Sequence, residues 1–352
     1  MGVSVTALAR SNAAATDAST TAVGITRKPG QPPIVVYIAG SGRSGSTLLE
    51  RALGEIPGFV NVGELIDLYR RVADHGERCG CGQEFAQCPF WSQVGERAVG
   101  GWQEQKLAAT RDLQGRVARQ RWMPRLLAMP LAGSRFRADV DAYGVSYTGL
   151  YEAIAAEADA TCVVDASKWP VQALALARAG LDVRVIHLVR DVRGVAYSLG
   201  KRDVSRPHAV GESDVMTRLS PVEAAGRWVT VQSQAGLLRR CGLRVARMRY
   251  EDFVQRPQQA VAAALAGIGL CVPAGNLAHI GDGRIMLGTS HGLSGNPSRF
   301  RDGEITLRAD ETWRVSMSRR DRLIVTAIAL PLMLRYGFTA AGSPAEKQDA
   351  HD

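Results

Sequence analysis

The chain has 352 residues, 46% of them hydrophobic, and a formal net charge of +9. So much apolar content excludes a disordered chain, and the length allows one large α/β domain or two ordinary ones. The basic balance suits an anionic partner. The surplus is mostly scattered arginine, with no lysine block and no aromatic–basic interleaving, which favours discrete phosphate or sulfate sites over a nucleic-acid partner.

Residues 1–30 are rich in Ala, Ser and Thr and lack the basic start and apolar core of a secretory leader, so they read as a disordered tail. Ile34–Ala39 is an unbroken β-branched run, the pattern of a strand buried on both faces. Gly40, Gly42 and Gly45 follow, interleaved with Ser41, Arg43, Ser44, Ser46 and Thr47; Leu48, Leu49, Ala52, Leu53 and Ile56 then recur at helical spacing. Strand, glycine-rich turn and helix is the local plan of an anion cradle. Glycines let backbone N–H groups approach an anion, and the helix N-terminus favours negative charge. The nucleotide-triphosphate loop G-x-x-x-x-G-K-[ST] is nearly matched, with Gly40, Gly45 and Thr47 in place. Ser46 stands where its lysine belongs, and the positive charge sits three residues earlier as Arg43. A tight structural turn, or another kind of nucleotide site, has the same local pattern.

Gly58–Val62 reads as a second strand, with Gly63 and Glu64 at its carboxyl end, where ligands of open parallel sheets bind. Glu64 equally suits a helix N-terminus, since Leu65–Val72 reads as a helix. Gly76–Trp91 is an irregular loop carrying Cys79, Cys81 and Cys88. With His75 these make four candidate zinc ligands; one local disulfide, or three reduced thiols, are the other readings. Residues 94–160 read as helical, interrupted at Gly133-Ser134 and Gly144, and carry arginines together with Trp102, Trp122, Tyr143, Tyr147 and Tyr151.

Thr161–Asp165 is the third strand, and Lys168 just beyond it faces the rim of the glycine loop unless it is a solvated helix-start lysine. Asp182–Val189 is the fourth, with His187 read as a core histidine. Arg190 then emerges from the strand tip and offers a planar fork to a phosphate; Ser198 returns about two helical turns later with a hydroxyl donor. Arg202–Ser220 reads as a loop or lid, Pro221–Gly242 as a long helix, and Leu243–Met248 as the fifth strand. Tyr250 follows, suited to packing at a strand end. Gly288–Arg301 is a donor-rich loop with His291, Gly295, Asn296 and Arg299. Thr312–Tyr336 reads as one helix stopped at Gly337, and residues 340–352 as a polar tail. The apolar run Leu323–Leu334 contains Pro331 and is too short to span a bilayer. No integral membrane segment is expected, and peripheral contact stays open.

Three of these pieces, in this order, resemble sulfotransferases that use 3′-phosphoadenosine 5′-phosphosulfate. The loop with Gly42, Arg43, Ser44, Gly45, Ser46 and Thr47 resembles their 5′-phosphosulfate loop. The stretch from Arg190 to Ser198 resembles their 3′-phosphate motif. The loop with Gly295, Asn296 and Arg299 resembles the carboxyl-proximal loop that folds over the nucleotide in bacterial and carbohydrate-type members. Gly63-Glu64 is similar to the Gly-Glu of protein-tyrosine sulfotransferases that supplies the general base, although Leu65–Arg71 departs from that group. Lys168 resembles the lysine near the transferred sulfuryl group, and Tyr250 the tyrosine beside the adenine.

The resemblance covers roughly residues 33–338. It implies a P-loop-type α/β fold of three layers, with a central parallel sheet of about five strands flanked by helices, over 31–339. Residues 94–160 would be a helical substrate-facing insertion. The implied reaction is sulfuryl transfer to a hydroxyl or amine, with adenosine 3′,5′-bisphosphate released, no metal required and a cytoplasmic location. Arg43, Glu64 and Lys168 are the expected catalytic residues. The acceptor stays open among small molecules (phenols and amines included), glycans, lipid-linked sugars and peptide tyrosine, and oligomeric state is not legible. A P-loop kinase or NTPase, or a non-catalytic nucleotide-binding module, are the rival expectations.

Overall fold

The computed structural model describes residues 31–69, 77–201 and 218–339, with the backbone of 205–206 and 214–215. The expected tails at 1–30 and 340–352, His75, and most of the expected lid at 202–220 lie outside the described residues.

Strand β1 (Ile34–Gly40) is buried along its whole length, as its continuous apolar run demands. It forms the centre of a five-stranded sheet with β2 (Phe59–Asn61), β3 (Cys162–Lys168), β4 (Val183–Val189) and β5 (Arg244–Arg249). The spatial order is β2-β3-β1-β4-β5, and every pairing is parallel. The chain moves from β1 outward to β2 and β3 on one side, then to β4 and β5 on the other. The crevice beyond the carboxyl ends of β1 and β4 is therefore a topological switch point, the place where open α/β sheets bind ligands.

Alternation along β1 divides the core. Val35, Tyr37 and Ala39 face one layer, while Ile34, Val36 and Ile38 face the other with Leu49 and Leu53 of α1 (Ser46–Gly54). Parallel strands buried on both faces require this covering by helices. A third cluster joins α6 (Val192–Gly200), α7 (Pro221–Leu238) and the carboxyl-terminal helix Arg319–Arg335. The single helix expected at Thr312–Tyr336 is two, Trp313–Ser316 and Arg319–Arg335, the second restarted by Ser318 capping Asp321 N–H. No helix among the described residues is long and apolar enough to cross a membrane.

Residues 94–160 are mostly helical, in α2 (Pro89–Val99), α3 (Glu104–Val117), a connection holding the one-turn helix Met123–Leu127 between two short 3-10 turns, and α4 (Ser134–Glu157). Gly144 does not interrupt α4. It sits where α4 meets α5 (Pro170–Arg178), and a Cβ there would overlap that of Ala179. Three aromatics of this segment lie in the core. Tyr143, Tyr147 and Tyr151 recur at i, i+4 and i+8, are fully buried, and pack as tilted rings with centroids 4.7 and 5.7 Å apart. Tyr151 donates its hydroxyl to Asp165 at 2.7 Å.

This packing predicts the sign of one substitution. Gly144→Ala gains about 1 kcal/mol in helix propensity but overpacks a helix–helix contact, a loss of ~1–3 kcal/mol. We expect net destabilisation in urea unfolding, relieved by adding Ala179→Gly. A more stable Gly144→Ala single variant would contradict the close approach.

Candidate functional site

The sheet's carboxyl edge opens into a cleft of about 470 Å³, within the range that ligand sites occupy. One wall is the turn from β1 to α1. Gly45 takes a left-handed backbone (φ 85°) as the residue before α1, and a Cβ there would stand 2.7 Å from the Tyr250 ring. Glycine is thus required twice over, by conformation and by contact. Gly42, Arg43, Gly45, Ser46 and Thr47 all line the cleft. Ser44 faces away from it, fully buried, and its hydroxyl finds no hydrogen-bond partner among the described residues.

The opposite wall comes from β4. Arg190 does not extend as an open fork. Its Nη1 donates to the Arg43 carbonyl at 2.9 Å, and its Nη2 donates to the Asp310 carbonyl at 2.8 Å and carboxylate at 3.2 Å. The guanidinium also stacks over Tyr250, 4.5 Å from the ring centroid. Ser198, on α6, accepts from Arg43 Nε at 3.0 Å. The loop arginine, the strand-end arginine and the helix serine, 155 positions from Arg43, therefore form one contiguous group. Burial, and next the like charge of Arg190, pull the Arg43 guanidinium below its ordinary range, with Asp310 the opposing influence. An anion bound between the two arginines reverses that penalty.

At the cleft floor Lys168 forms an ion pair with Glu64. A register shift between β1 and β3 sets the four residues Asp165–Lys168 against the three residues Tyr37–Ala39, and such a bulge re-aims the side chain that follows. Lys168 takes a left-handed φ of 69°. Arg43 (66°) and Ser294 (58°) do the same, so three of the four positive-φ non-glycine residues among the described residues line this one cleft. Strain of this kind, of order 1–3 kcal/mol each, gathers at functional sites.

The third wall is the loop 288–301. Leu293 pairs in parallel with Gly63, and Glu64 N–H donates to its carbonyl at 2.8 Å. Ser294 donates to Asp67 at 2.9 Å, and Asn296 N–H to Thr47 Oγ1 at 3.4 Å. Gly295 and Asn296 line the cleft. Arg299 does not. It is 3% exposed, lies behind the loop, and pairs with Glu77 at 2.9 Å and the Arg78 carbonyl at 3.1 Å. The expected phosphate contact thus stands behind the cleft lining, where its partner is the Glu77 carboxylate and it secures the loop.

The remaining cleft residues carried no motif. Arg227, on α7 and stacked over Trp169 at 5.0 Å, and Lys201 bring the basic side chains of the lining to five against Glu64, Asp67 and Asp310, a balance suited to an anion. Asp310 had no signal in the sequence, being brought to Arg190 only by the fold. No residue of 94–160 lines the cleft, so that segment's expected substrate-facing role is not seen in it. His187 is buried and bonded to Gln232, as a core histidine should be.

Glu50 holds the turn that carries Glu64. Its carboxylate accepts from Gly63 N–H at 2.8 Å and from Asn61 at 2.9 Å. Burial pushes its carboxyl from an ordinary 4.5 up to about 7. A group whose folded pKa is raised contributes stability that is full below about pH 4.5 and lost as pH rises through 7. That gap corresponds to about 3 kcal/mol. Glu50→Gln mimics the protonated form, so its stability relative to the parent is expected to rise by roughly that amount between pH 4.5 and 8. Asp165 and His187 titrate in both proteins and cancel. Urea unfolding at several pH values checks this; parallel curves would refute it.

The sequence profile of the sulfotransferase family matches residues 33–273, more than half of the chain. No curated protein sequence matches. Among solved structures the chain is similar to the sulfotransferase domain of the Synechococcus PCC 7002 olefin synthase, with 16% identity, 87% of this chain and 97% of that one covered, and a TM-score of 0.45. It is similar to the sulfotransferase domain from the curacin biosynthetic pathway at 17% identity, with 86% and 98% covered and a TM-score of 0.45. A sulfotransferase from Alicyclobacillus acidocaldarius shares 12% identity over 87% and 94% of the two chains, with a TM-score of 0.40.

Proposed function

The chain belongs to the sulfotransferase family, and from that membership we propose that it transfers a sulfuryl group from 3′-phosphoadenosine 5′-phosphosulfate to an acceptor hydroxyl or amine, releasing adenosine 3′,5′-bisphosphate. One observation carries the reading. Arg43 on the glycine loop, Arg190 at the β4 tip and Ser198 on α6 are joined by hydrogen bonds at the mouth of a cleft whose floor holds the Glu64–Lys168 pair.

The residues divide the work. The loop N–H groups from Gly42 to Thr47 and the N-terminus of α1 hold the 5′-phosphosulfate. Arg190 and Ser198 hold the 3′-phosphate, which displaces the Asp310 carboxylate from Arg190. Tyr250, with its ring against Gly45 and beneath Arg190, flanks the nucleotide. Transfer breaks the bond between sulfur and the bridging oxygen and forms one between sulfur and the acceptor. The transition state is loose and in line, so positioning and charge stabilisation dominate. Arg43 meets the charge growing on the leaving phosphate as a permanent cation. Lys168 lies against the transferred group, and Glu64 takes the acceptor's proton. Ser46 in place of a loop lysine, and Arg190 directly after β4, distinguish this cleft from a triphosphate site. The acceptor is a small molecule, a glycan or a lipid-linked sugar.

Calorimetric titration with adenosine 3′,5′-bisphosphate, ADP and ATP-Mg²⁺ tests the donor. Metal-free binding of the bisphosphate is expected, weakened in Arg190→Ala by roughly 1.5–3 kcal/mol. Preference for ATP-Mg²⁺, indifferent to Arg190, would refute the proposal. Glu64→Gln is expected to keep bisphosphate binding and to lower turnover by about 10²–10⁴-fold once an acceptor is in hand. Unchanged turnover would remove Glu64 from the base role.

A further inference from the structure

The three clustered cysteines meet a histidine that lies far along the chain. Cys79, Cys81 and Cys88 converge with His291, and their four ligand atoms all lie within 4.8 Å of one another. The Sγ atoms of Cys79 and Cys88 are 3.6 Å apart, and those of Cys81 and Cys88 are 3.7 Å apart. His291 Nδ1 stands 3.5 Å from Cys79 Sγ and 3.4 Å from Cys88 Sγ. A tetrahedral zinc with ordinary Zn–S and Zn–N bonds needs S···S edges of about 3.8 Å and S···N edges of about 3.6 Å. A disulfide needs sulfurs about 2.05 Å apart, so none of these pairs is bonded, and the cysteines are free thiols.

The surroundings hold the four groups in place. Cys79 starts a tight turn in which Gly82 N–H donates to its carbonyl at 2.9 Å, and Cys79 N–H donates to Gln83 at 2.8 Å. Cys88 caps helix α2, whose first turn supplies Phe90 and Trp91. Phe90 stacks flat on the His291 ring, centroids 4.5 Å apart and planes 6° from parallel. Trp91 donates to the His291 carbonyl at 2.9 Å. Gly80 N–H donates to the Gly292 carbonyl at 2.9 Å, and a Cβ on Gly80 would stand 2.7 Å from the Ser290 carbonyl. Cys79 and Cys88 are fully buried. Three weak thiol donors and one imidazole satisfy one another poorly as hydrogen-bonding groups, whereas as ligands they complete one four-coordinate shell.

We propose that Cys79, Cys81, Cys88 and His291 form a closed, structural Cys₃His zinc site that pins the loop 288–301 to the turn before α2. Binding forms three S–Zn bonds and one N–Zn bond and releases the thiol protons to solvent, with no electron transfer. The ligand set differs from the sequence expectation in its fourth member: His291 replaces His75. Four protein ligands leave no open position for a substrate, which marks the site as structural. It ties residues 212 positions apart, and a cross-link of that kind acts on the unfolded chain as well as the folded one.

The full-length protein, purified under reducing conditions without chelator, is expected to hold about one zinc per chain by elemental mass spectrometry. Anaerobic replacement by cobalt(II) should give the visible bands of a tetrahedral thiolate complex. Cys88→Ser and His291→Ala should lose the metal, whereas Cys271→Ser, at an exposed cysteine outside the cluster, should keep it. Removing zinc with a strong chelator should lower the melting temperature, and adding zinc back should restore it. If the variants do not fold, the zinc content and cobalt spectrum of the parent decide the matter. The proposal is overturned by a parent that carries under a tenth of an equivalent of zinc and gives no tetrahedral cobalt spectrum. It is equally overturned by a native disulfide between two of these cysteines, seen as a cross-linked peptide in a non-reducing digest.

Discussion

Two guanidinium groups of like charge stand together at the mouth of the cleft, and much of the surrounding structure answers to that fact. Arg190 cannot move away from the glycine loop, because its Nη1 is bonded to the Arg43 carbonyl and its ring partner Tyr250 fills the space that Gly45 leaves. Arg43 in turn is held by Ser198. The molecule offsets this concentration of charge with Asp310, drawn from a segment 120 residues away from Arg190. A carboxylate on the rim is a weaker answer than a phosphate dianion, which offers more acceptor oxygens to the same fork. The like charges of the two arginines are an unfavourable arrangement, and the left-handed backbones of Arg43 and Lys168 add strain to it.

How much of this was legible in the sequence follows from how local each feature is. The strand at Ile34–Ala39, the turn and α1 are adjacent in sequence, and their pattern is set by backbone chemistry that glycine and apolar runs report directly. The strands could be read because most are short apolar runs bounded by turn residues, and their parallel arrangement because helical segments lie between them. Arg190 and Ser198 could be set side by side from the sequence because both lie on one strand-to-helix unit, at the tip of β4 and within α6. Legibility fails where the partner is remote. Nothing near Arg299 announces Glu77, 222 positions away, so the ion pair that fastens this donor-rich loop has no local signal. His291 is 203 residues from Cys88, and a nearer histidine draws the eye.

The helical layer 94–160 shows a different kind of failure. Aromatic residues among arginines suggest a surface that meets a substrate, but the i, i+4, i+8 spacing of Tyr143, Tyr147 and Tyr151 carries the better information. That stripe is the buried face of α4, where Tyr147 donates to the Leu65 carbonyl and Tyr151 to Asp165 within the core. Gly144 on the same helix reads as a breaker by propensity alone. Its place against Ala179 shows a close helix contact overriding a weak local preference.

The loop 288–301 is a wall of the cleft rather than a hinged cover. Arg51, buried in α1, holds it at both ends through the Gly288 and Ser298 carbonyls at 2.7 and 3.2 Å and pairs with Asp302 at 2.9 Å. Gly63 permits the backbone approach of Leu293, since any Cβ there would collide with that carbonyl. Ser294 is tied to Asp67 and Arg299 to Glu77. Each of these partners lies more than 220 residues from the loop, yet distance along the chain adds little to the entropy of closure once the sheet has formed. A wall fastened by backbone pairing and a buried ion pair is held by contacts within the fold itself, so its ordering cost is met in folding.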